Sequence, residues 1–380
     1  MTGHRFLVWG TFDTGKPRVR MLVEALRLND PALPVIHCNP WAGIEDKSQV
    51  KGLAARLALL LRWLLTYPAL IAAYLRAPRH EVVVVPYPGN LDVLVLWPLA
   101  RLRGAKICWD MFLSLYDTAV IDRAMVGRGG MLARLIRAAE WLSTRAADRI
   151  LLDSRAHADY IADLFHLPAA KVGAFQVGAE TELFVRAAQP PATTPLDVLF
   201  YGQFIPLHGL DTIIAAIAQI EQDETAPPLT FTIVGQGQEQ PRIDALIARQ
   251  GLRSVKRTNW VDFADLPALI DRSSFCLGVF ARDGKGTRVI PNKVFQILSV
   301  GRPLITMDSP AIRELVSPGP ALRLVPPGDA AALADAILSL ARDLSAPGGA
   351  AALHQSAIAA MPRVGASAIG AQFLAATESL

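Results

Sequence analysis

The sequence predicts an α/β protein with two doubly wound parallel sheets, one after the other along the chain. Three observations lead there. Short apolar runs alternate with helical patterns from the first residues onward, as strand–helix–strand units require. A Pro/Thr stretch without periodicity, Gln189-Pro-Pro-Ala-Thr-Thr-Pro195, interrupts the alternation, which then restarts. A chain of 380 residues also exceeds one ordinary hydrophobic core.

In the first half, apolar runs place strands at Arg5–Trp9, Val35–Cys38, Val82–Pro86, Lys106–Trp109 and Arg149–Leu152. Helical spacing fills the intervals at Arg18–Leu28, Leu53–Arg76, Leu91–Leu102 and Met131–Ala147. In the second half, strands are expected at Val198–Tyr201, Phe231–Val234, Val255–Trp260, Phe275–Val279 and Pro303–Met307. The helices between and after them are Leu210–Gln222, Pro241–Gln250, Leu266–Asp271, Pro291–Leu298, Ala311–Val316 and Ala330–Leu344. These patterns divide the chain into a first domain (1–190), a second (196–360) and a C-terminal helix (361–380) expected to pack back on the first. Sheets of this kind hold ligands at the carboxyl ends of their strands, so the cleft between two such halves is the expected site.

Composition narrows the class. Hydrophobic residues make up 52% and charged residues 19%, which argues against disorder. Net charge is +4, but arginine crowds the stretch from Arg56 to Arg155, where acids are sparse. Two readings of that stretch stay open: solvated helix faces, or contact with an anionic membrane surface or polyanionic substrate. Cys38, Cys108 and Cys276 are odd in number and far apart, so they read as buried packing residues rather than a disulfide or metal framework. No secretory signal pattern precedes the first strand, which suggests the cytoplasm or the inner face of its membrane. Leu53–Leu75 is apolar, but Arg56, Arg62 and Pro68 interrupt it short of the ~20 residues a bilayer needs, so peripheral contact is expected rather than a span.

The stretch Gly286–Ile305 carries the strongest chemical signal. Lys285, Gly286 and Arg288 form a basic loop, Pro291 can open a helix carrying Val294, and Gly301 can close it. A helix N-terminus beside cations is an anion site, with phosphate the first ligand to consider. Tyr201-Gly-Gln-Phe-Ile-Pro-Leu-His-Gly209 follows a strand and precedes a helix, so Gly202 and Gly209 let backbone approach a ligand. Val234-Gly-Gln-Gly-Gln238 is a Gly-X-Gly turn lacking the third glycine and the acidic residue of a dinucleotide fingerprint, so a nicotinamide enzyme is disfavoured. A tight strand-to-helix turn is the plain alternative at both places.

In the first half, Gly10–Arg18 is not a Walker A loop, because Pro17 follows the Gly15-Lys16 pair. Lys16 and Arg18 could hold an anionic group there. Asp110, leaving a strand end, reads as acid/base or sugar ligand, or equally as a helix N-cap or turn former.

These pieces, in this order, resemble the family 4 glycosyltransferases. Asp148–Ser154 with Ala156-His157 looks like that family's strand ending in Asp/Thr-X-Ser. Gly178–Phe184 looks like its Asn-Gly-Val-Asp-X-X-X-Phe segment. Leu199–Ile213 is similar to its Phe-X-Gly-Arg-Leu-X-Pro-X-Lys-Gly-X-Asp stretch, and Phe231–Gly237 to its Val-Gly-X-Gly strand end. The resemblance covers nearly the whole chain and is strongest in the second half. It implies a GT-B fold and retaining transfer of a sugar from a UDP- or GDP-sugar to a hydroxyl acceptor; the basic, Leu/Trp-rich first half suggests a lipid-linked or envelope or exopolysaccharide glycan as that acceptor. The resemblance implies no metal and no cofactor beyond the co-substrate, and no nucleic-acid partner. Asp110, Lys293 and Arg288 would then be catalytic. Gly202, Gln203, His208, Gly209, Gly235, Gly237, Val261, Lys285, Asn292, Val294 and Gln296 would bind the donor, and Gly15, Lys16, Arg18 and Tyr116 the acceptor.

The chain departs from the family at four places. Arg and Lys usually stand where Gln203 and His208 are, and a pair of glutamates often stands where Arg288 and Gln296 are. A catalytically silent nucleotide- or partner-binding protein is therefore a second reading. A sugar-nucleotide epimerase ranks last, because its usual acids and histidines are not evident.

Overall fold

The structure, a computed structural model, describes residues 4–40, 52–187, 194–282 and 284–380. Its contacts divide the chain into two units. One is Met1–Val177 with Ala366–Leu380, the other Gly178–Gly365.

The first unit holds a six-stranded parallel sheet: β1 (His4–Gly10), β2 (Val35–His37), β3 (His80–Val85), β4 (Lys106–Phe112), β5 (Arg149–Leu152) and β6 (Val172–Ala174). Their spatial order is β2-β1-β3-β4-β5-β6. Crossover helices are α1 (Pro17–Asn29), α2 (Leu53–Leu64), α3 (Tyr67–Arg76), α4 (Asn90–Arg103), α5 (Met131–Ala146) and α6 (Arg155–Phe165). The strands are mostly apolar because helices cover both faces. On one face Trp9, Val83 and Trp109 pack with Tyr67, Leu70 and Tyr74 of α3 and with α4 and α6. On the other, Phe6 and Val8 pack with α1 and the last helix of the chain.

The second unit repeats the plan with β7 (Leu196–Tyr201), β8 (Leu229–Val234), β9 (Val255–Thr258), β10 (Phe275–Leu277), β11 (Leu304–Met307) and β12 (Leu322–Val325), in the order β12-β11-β10-β7-β8-β9. Its helices are α7 (Leu210–Gln222), α8 (Gln240–Gln250), α9 (Leu266–Arg272), α10 (Asn292–Val300), α11 (Pro310–Leu315), α12 (Ala330–Ser345) and α13 (Gly349–Ala359). Side chains alternate along β7. Val198 and Phe200 join the core formed with α7 and α12, while the Tyr201 hydroxyl turns to α10, donating to Gln296 at 2.9 Å.

Three differences from the sequence reading have physical causes. The expected helix Leu53–Arg76 is two helices, parted at Leu65-Thr66, and Pro68 falls in the first turn of the second, where its missing N–H costs nothing. The edge strands β6 and β12, three and four residues long, are too short for an alternation to show. The unit boundary lies at 177/178 rather than near 190: Phe184 is buried against Phe263, with ring centroids 5.7 Å apart, and Ser299 Oγ donates to its carbonyl at 2.7 Å. Of the linker, residues 189–193 lie outside the described residues. The chain finally returns to the first unit as α14 (Ala366–Ala376), where Phe373 meets Phe6 and Phe175 edge-on at 5.6 and 5.5 Å.

Candidate functional site

In the second sheet the strand order turns back between β7 and β10. In open parallel sheets the crevice at the carboxyl ends of such a strand pair is where ligands bind. The loops leaving β7, β8 and β10 meet there. Gly202 follows β7 with φ +146°, and a methyl group in its place would stand 2.9 Å from His208 Cε1 and 3.0 Å from Lys293 Nζ. The missing side chain leaves a small cradle between an imidazole and an amine. Gly235, also at φ +146°, is tighter: its Cβ would lie 1.9 Å from the Gly202 carbonyl oxygen. Only glycine permits these two loops to touch.

Lys293 is the unusual residue. It is 4% exposed, on the first turn of α10. Its Nζ lies 3.7 Å from the Phe200 ring centroid and 3.5 Å from the Gly278 carbonyl. Burial holds its amine well below the usual lysine range. Placing an amine here costs desolvation, which an arriving anion would offset. Neither α7 nor α10 has a side-chain cap at its N-terminus, Gly209 and Pro291 serving as cap residues. The first amides of α10 are thus open to an acceptor such as a phosphate oxygen.

His208 is held in one orientation. Its Nδ1 bonds the Gln203 carbonyl, and the Phe280 N–H donates to the His208 carbonyl at 3.0 Å. Facing a carbonyl, Nδ1 carries the proton, so Nε2 donates to an anion only when the ring is protonated. Gln203 itself is exposed, Asn292 and Val261 are partly exposed, and Lys285 and Val294 are buried. Arg288 is partly buried, its N–H donating to the Lys285 carbonyl at 3.0 Å. A methyl on Gly237 would meet the Phe204 carbonyl oxygen at 2.8 Å.

One residue that organises this region escaped the sequence reading. Arg257 on β9 donates through Nε to Asp244 at 2.9 Å and through its two terminal nitrogens to the carbonyls of Ile233 at 2.9 Å and Gly235 at 3.2 Å. Its guanidinium also stacks over Phe204, 4.5 Å from the ring centroid. It ties the Gly235 turn to the loop after β7. Its one mark in the sequence is an arginine inside the strand that follows the Gly-X-Gly turn.

The first unit places its expected site residues differently. Asp110 and Arg18 are both 0% exposed and form an ion pair at 2.7 Å. Arg18 also donates to the Phe175 and Leu152 carbonyls at 2.8 and 2.9 Å and lies 3.7 Å over the Phe175 ring. Burial raises the Asp110 carboxyl while Arg18 opposes the rise. Asp110 was expected where a strand ends, but β4 runs on to Phe112, so it sits inside the strand. The pair is a brace between α1 and the sheet. Gly15 is exposed and Lys16, the cap residue of α1, is half-buried. Tyr116 lies in the loop after β4, its N–H donating to Glu140 at 3.0 Å and its ring 5.7 Å from the Arg137 guanidinium. Among the described residues no group of three or more His, Cys, Asp or Glu side chains is placed to hold a metal ion.

Residues 195–343 match the family model described as glycosyl transferases group 1. Glycogen synthase of Mycobacterium tuberculosis is 27% identical over 218 residues, covering 57% of this chain and 51% of that protein. The amylovoran biosynthesis glycosyltransferase AmsK of Erwinia amylovora is 26% identical over 178 residues, covering 46% and 43%. The chain therefore matches about half the length of these curated relatives. Among solved structures, HepE of Anabaena in complex with UDP and glucose superposes with a TM-score of 0.67 at 16% identity, over 99% of this chain and 100% of that one. At such identity the likeness shows the fold: GT-B, with two Rossmann-like units in one chain.

Proposed function

We propose that this protein transfers a sugar from a nucleoside-diphosphate sugar to a hydroxyl acceptor with retention of anomeric configuration. The observation that carries the reading is the buried Lys293 amine beside the Gly202 cradle, at the strand pair where the second sheet's order turns back. Such a pocket suits a diphosphate that gains charge as it leaves. The glycosyl transferases group 1 match over 195–343 and the UDP and glucose held by HepE support the same ligand class.

In this mechanism the bond from the anomeric carbon to the diphosphate oxygen breaks through an oxocarbenium-like transition state. The acceptor oxygen bonds that carbon on the face the diphosphate leaves, and its proton passes to the departing phosphate. Lys293, protonated His208 and the first amides of α10 hold the leaving group, so cationic side chains and a helix dipole take the part a metal would otherwise play. The acceptor is a hydroxyl of a glycan, free or lipid-linked.

A binding protein without turnover is the second reading, favoured by Gln296: where relatives often place a carboxylate, this amide is buried and engaged by Tyr201. Thermal shift with UDP, GDP and ADP, followed by donor turnover with cell-extract acceptors, separates the two. Stabilisation by one nucleoside diphosphate together with transfer supports the transferase. Stabilisation alone supports the binder, and no response to any of the three overturns both.

A further inference from the structure

We propose that the outer faces of α2 and α5, where exposed leucine is interleaved with arginine, dock the first unit onto an anionic lipid bilayer. Among the described residues, every large apolar side chain left exposed lies between Leu57 and Leu142, apart from Leu28, Val185, Trp260 and Phe263. On α2, Leu57, Leu60, Leu61 and Leu64 fall at i, i+3, i+4 and i+7, one stripe of a helix, and Leu65 beyond them is 67% exposed. On α5, Met131 is 79% exposed, and Leu135 and Leu142 follow on the same outward side. A soluble surface seldom keeps such a stripe bare unless something covers it.

Charge names the occupant. Arg62, Arg128, Arg134 and Arg137 are exposed alongside these leucines, whereas Glu81 is the only exposed acidic side chain among the described residues from 57 to 147. Asp92, Asp110, Asp117 and Glu140 are buried and Asp122 is partly buried; Glu140 of α5 faces the protein and accepts from Ser114, Leu115 and Tyr116. A helix apolar on one side and basic on its flanks lies in the interface of an anionic membrane. An apolar protein partner would not call for an acid-poor, arginine-rich surround.

The run Leu57–Arg76 is long and apolar enough by composition to cross a bilayer, but its second half is committed elsewhere. Tyr67, Leu70 and Tyr74 of α3 are buried in the first unit's core, and Trp9 donates to the Leu70 carbonyl at 3.1 Å. The Trp63 indole, at the end of α2, donates to Thr11 just past β1 at 2.7 Å. So α2 lies against the carboxyl ends of the first sheet's strands, and α5 starts from the same side because it follows β4 in a parallel sheet. The lipid would then border the edge at which such a sheet meets its ligand.

The test is co-sedimentation of the full chain with vesicles of phosphatidylcholine alone or mixed with phosphatidylglycerol. Salt is varied from about 0.1 M to about 1 M, which shortens the screening length from ~10 Å to ~3 Å. We expect binding to the mixed vesicles only, weakened at least about tenfold at the higher salt. The exposed triple variant Leu57→Ser/Leu61→Ser/Leu64→Ser and the double variant Arg134→Glu/Arg137→Glu should each lose at least about tenfold with unchanged melting temperatures. Absence of wild-type binding to the mixed vesicles overturns the proposal, as does full binding by the leucine variant. So does sedimentation velocity showing a dimer that the leucine variant dissolves, which would make the face an interface between copies. No donor or acceptor enters the assay, so its outcome and that of the transferase reading are independent.

Discussion

The Lys293 amine lies 3.7 Å from the centre of the Phe200 ring, with 4% of the residue exposed. The Tyr201 ring centroid lies 5.9 Å away, and the Gly278 carbonyl, at 3.5 Å, is at the limit of a hydrogen bond. An aromatic face and one carbonyl compensate a buried ammonium only in part.

Replacing this lysine by methionine keeps the volume and removes the polar head. Lys293→Met should leave the melting temperature unchanged or raise it, since burying the amine is a cost. Nucleoside-diphosphate affinity should fall by about 1.5–3 kcal/mol, the worth of a charge-assisted hydrogen bond. Calorimetric titration beside a thermal melt reads both; equal affinity in the variant would remove Lys293 from the site.

The depressed pKa of Lys293 gives a pH signature. A bound diphosphate stabilises the ammonium and raises its pKa, so binding takes up a proton between the free and bound values. Affinity should be greatest below the free pKa and fall as pH rises through that window, up to about tenfold per pH unit. Without ligand the sign reverses. The unfolded chain holds a proton that the folded one lacks, so stability rises with pH from the depressed folded pKa to the ordinary lysine value. Titration in buffers of different ionisation enthalpy measures the proton directly, and Lys293→Met should abolish it.

Gly202→Ala tests the cradle. The added methyl would stand 2.9 Å from His208 and 3.0 Å from Lys293, at a φ that side chains rarely adopt. We expect about 1–3 kcal/mol of lost stability from the backbone alone, and a larger proportional loss of nucleotide binding than in Lys293→Met. Binding isotherms taken well below the melting temperature separate the two effects.

In the first unit, Arg18→Met should destabilise by about 3–5 kcal/mol, because it leaves the Asp110 carboxylate buried without its cation. Asp110→Asn should likewise lower stability while leaving donor affinity unchanged. Full stability of both variants by urea melt would show that the pair is no brace.

The alternation of strands and helices was legible because a fully covered parallel sheet leaves near-continuous aliphatic runs, such as Val82–Val85. The close approach of the loops after β7 and β8 was legible because glycine marks places where backbone comes near, and the start of α10 because proline marks a helix beginning. Asp110 was expected past a strand end because the apolar run stops at Trp109, whereas β4 continues to Phe112 and its register buries the carboxylate against Arg18. Arg257 went unseen because its task depends on carbonyls from β8 and a ring from beyond β7, contacts that chain order does not display. The domain edge was drawn at the conspicuous prolines, although burial of Phe184 had already committed the chain to the second unit.

The return of α14 to the first unit has a consequence for biosynthesis. The second unit is one unbroken segment, Gly178–Gly365, whereas the first lacks Phe373 and its neighbours until Ala366–Leu380 have been added. During translation, which delivers domains in order at roughly 5–20 residues per second, the second unit can complete its core while the earlier-made unit still waits with the α1 side of its sheet uncovered. Truncation before Ala366 should therefore injure the half of the protein synthesised first.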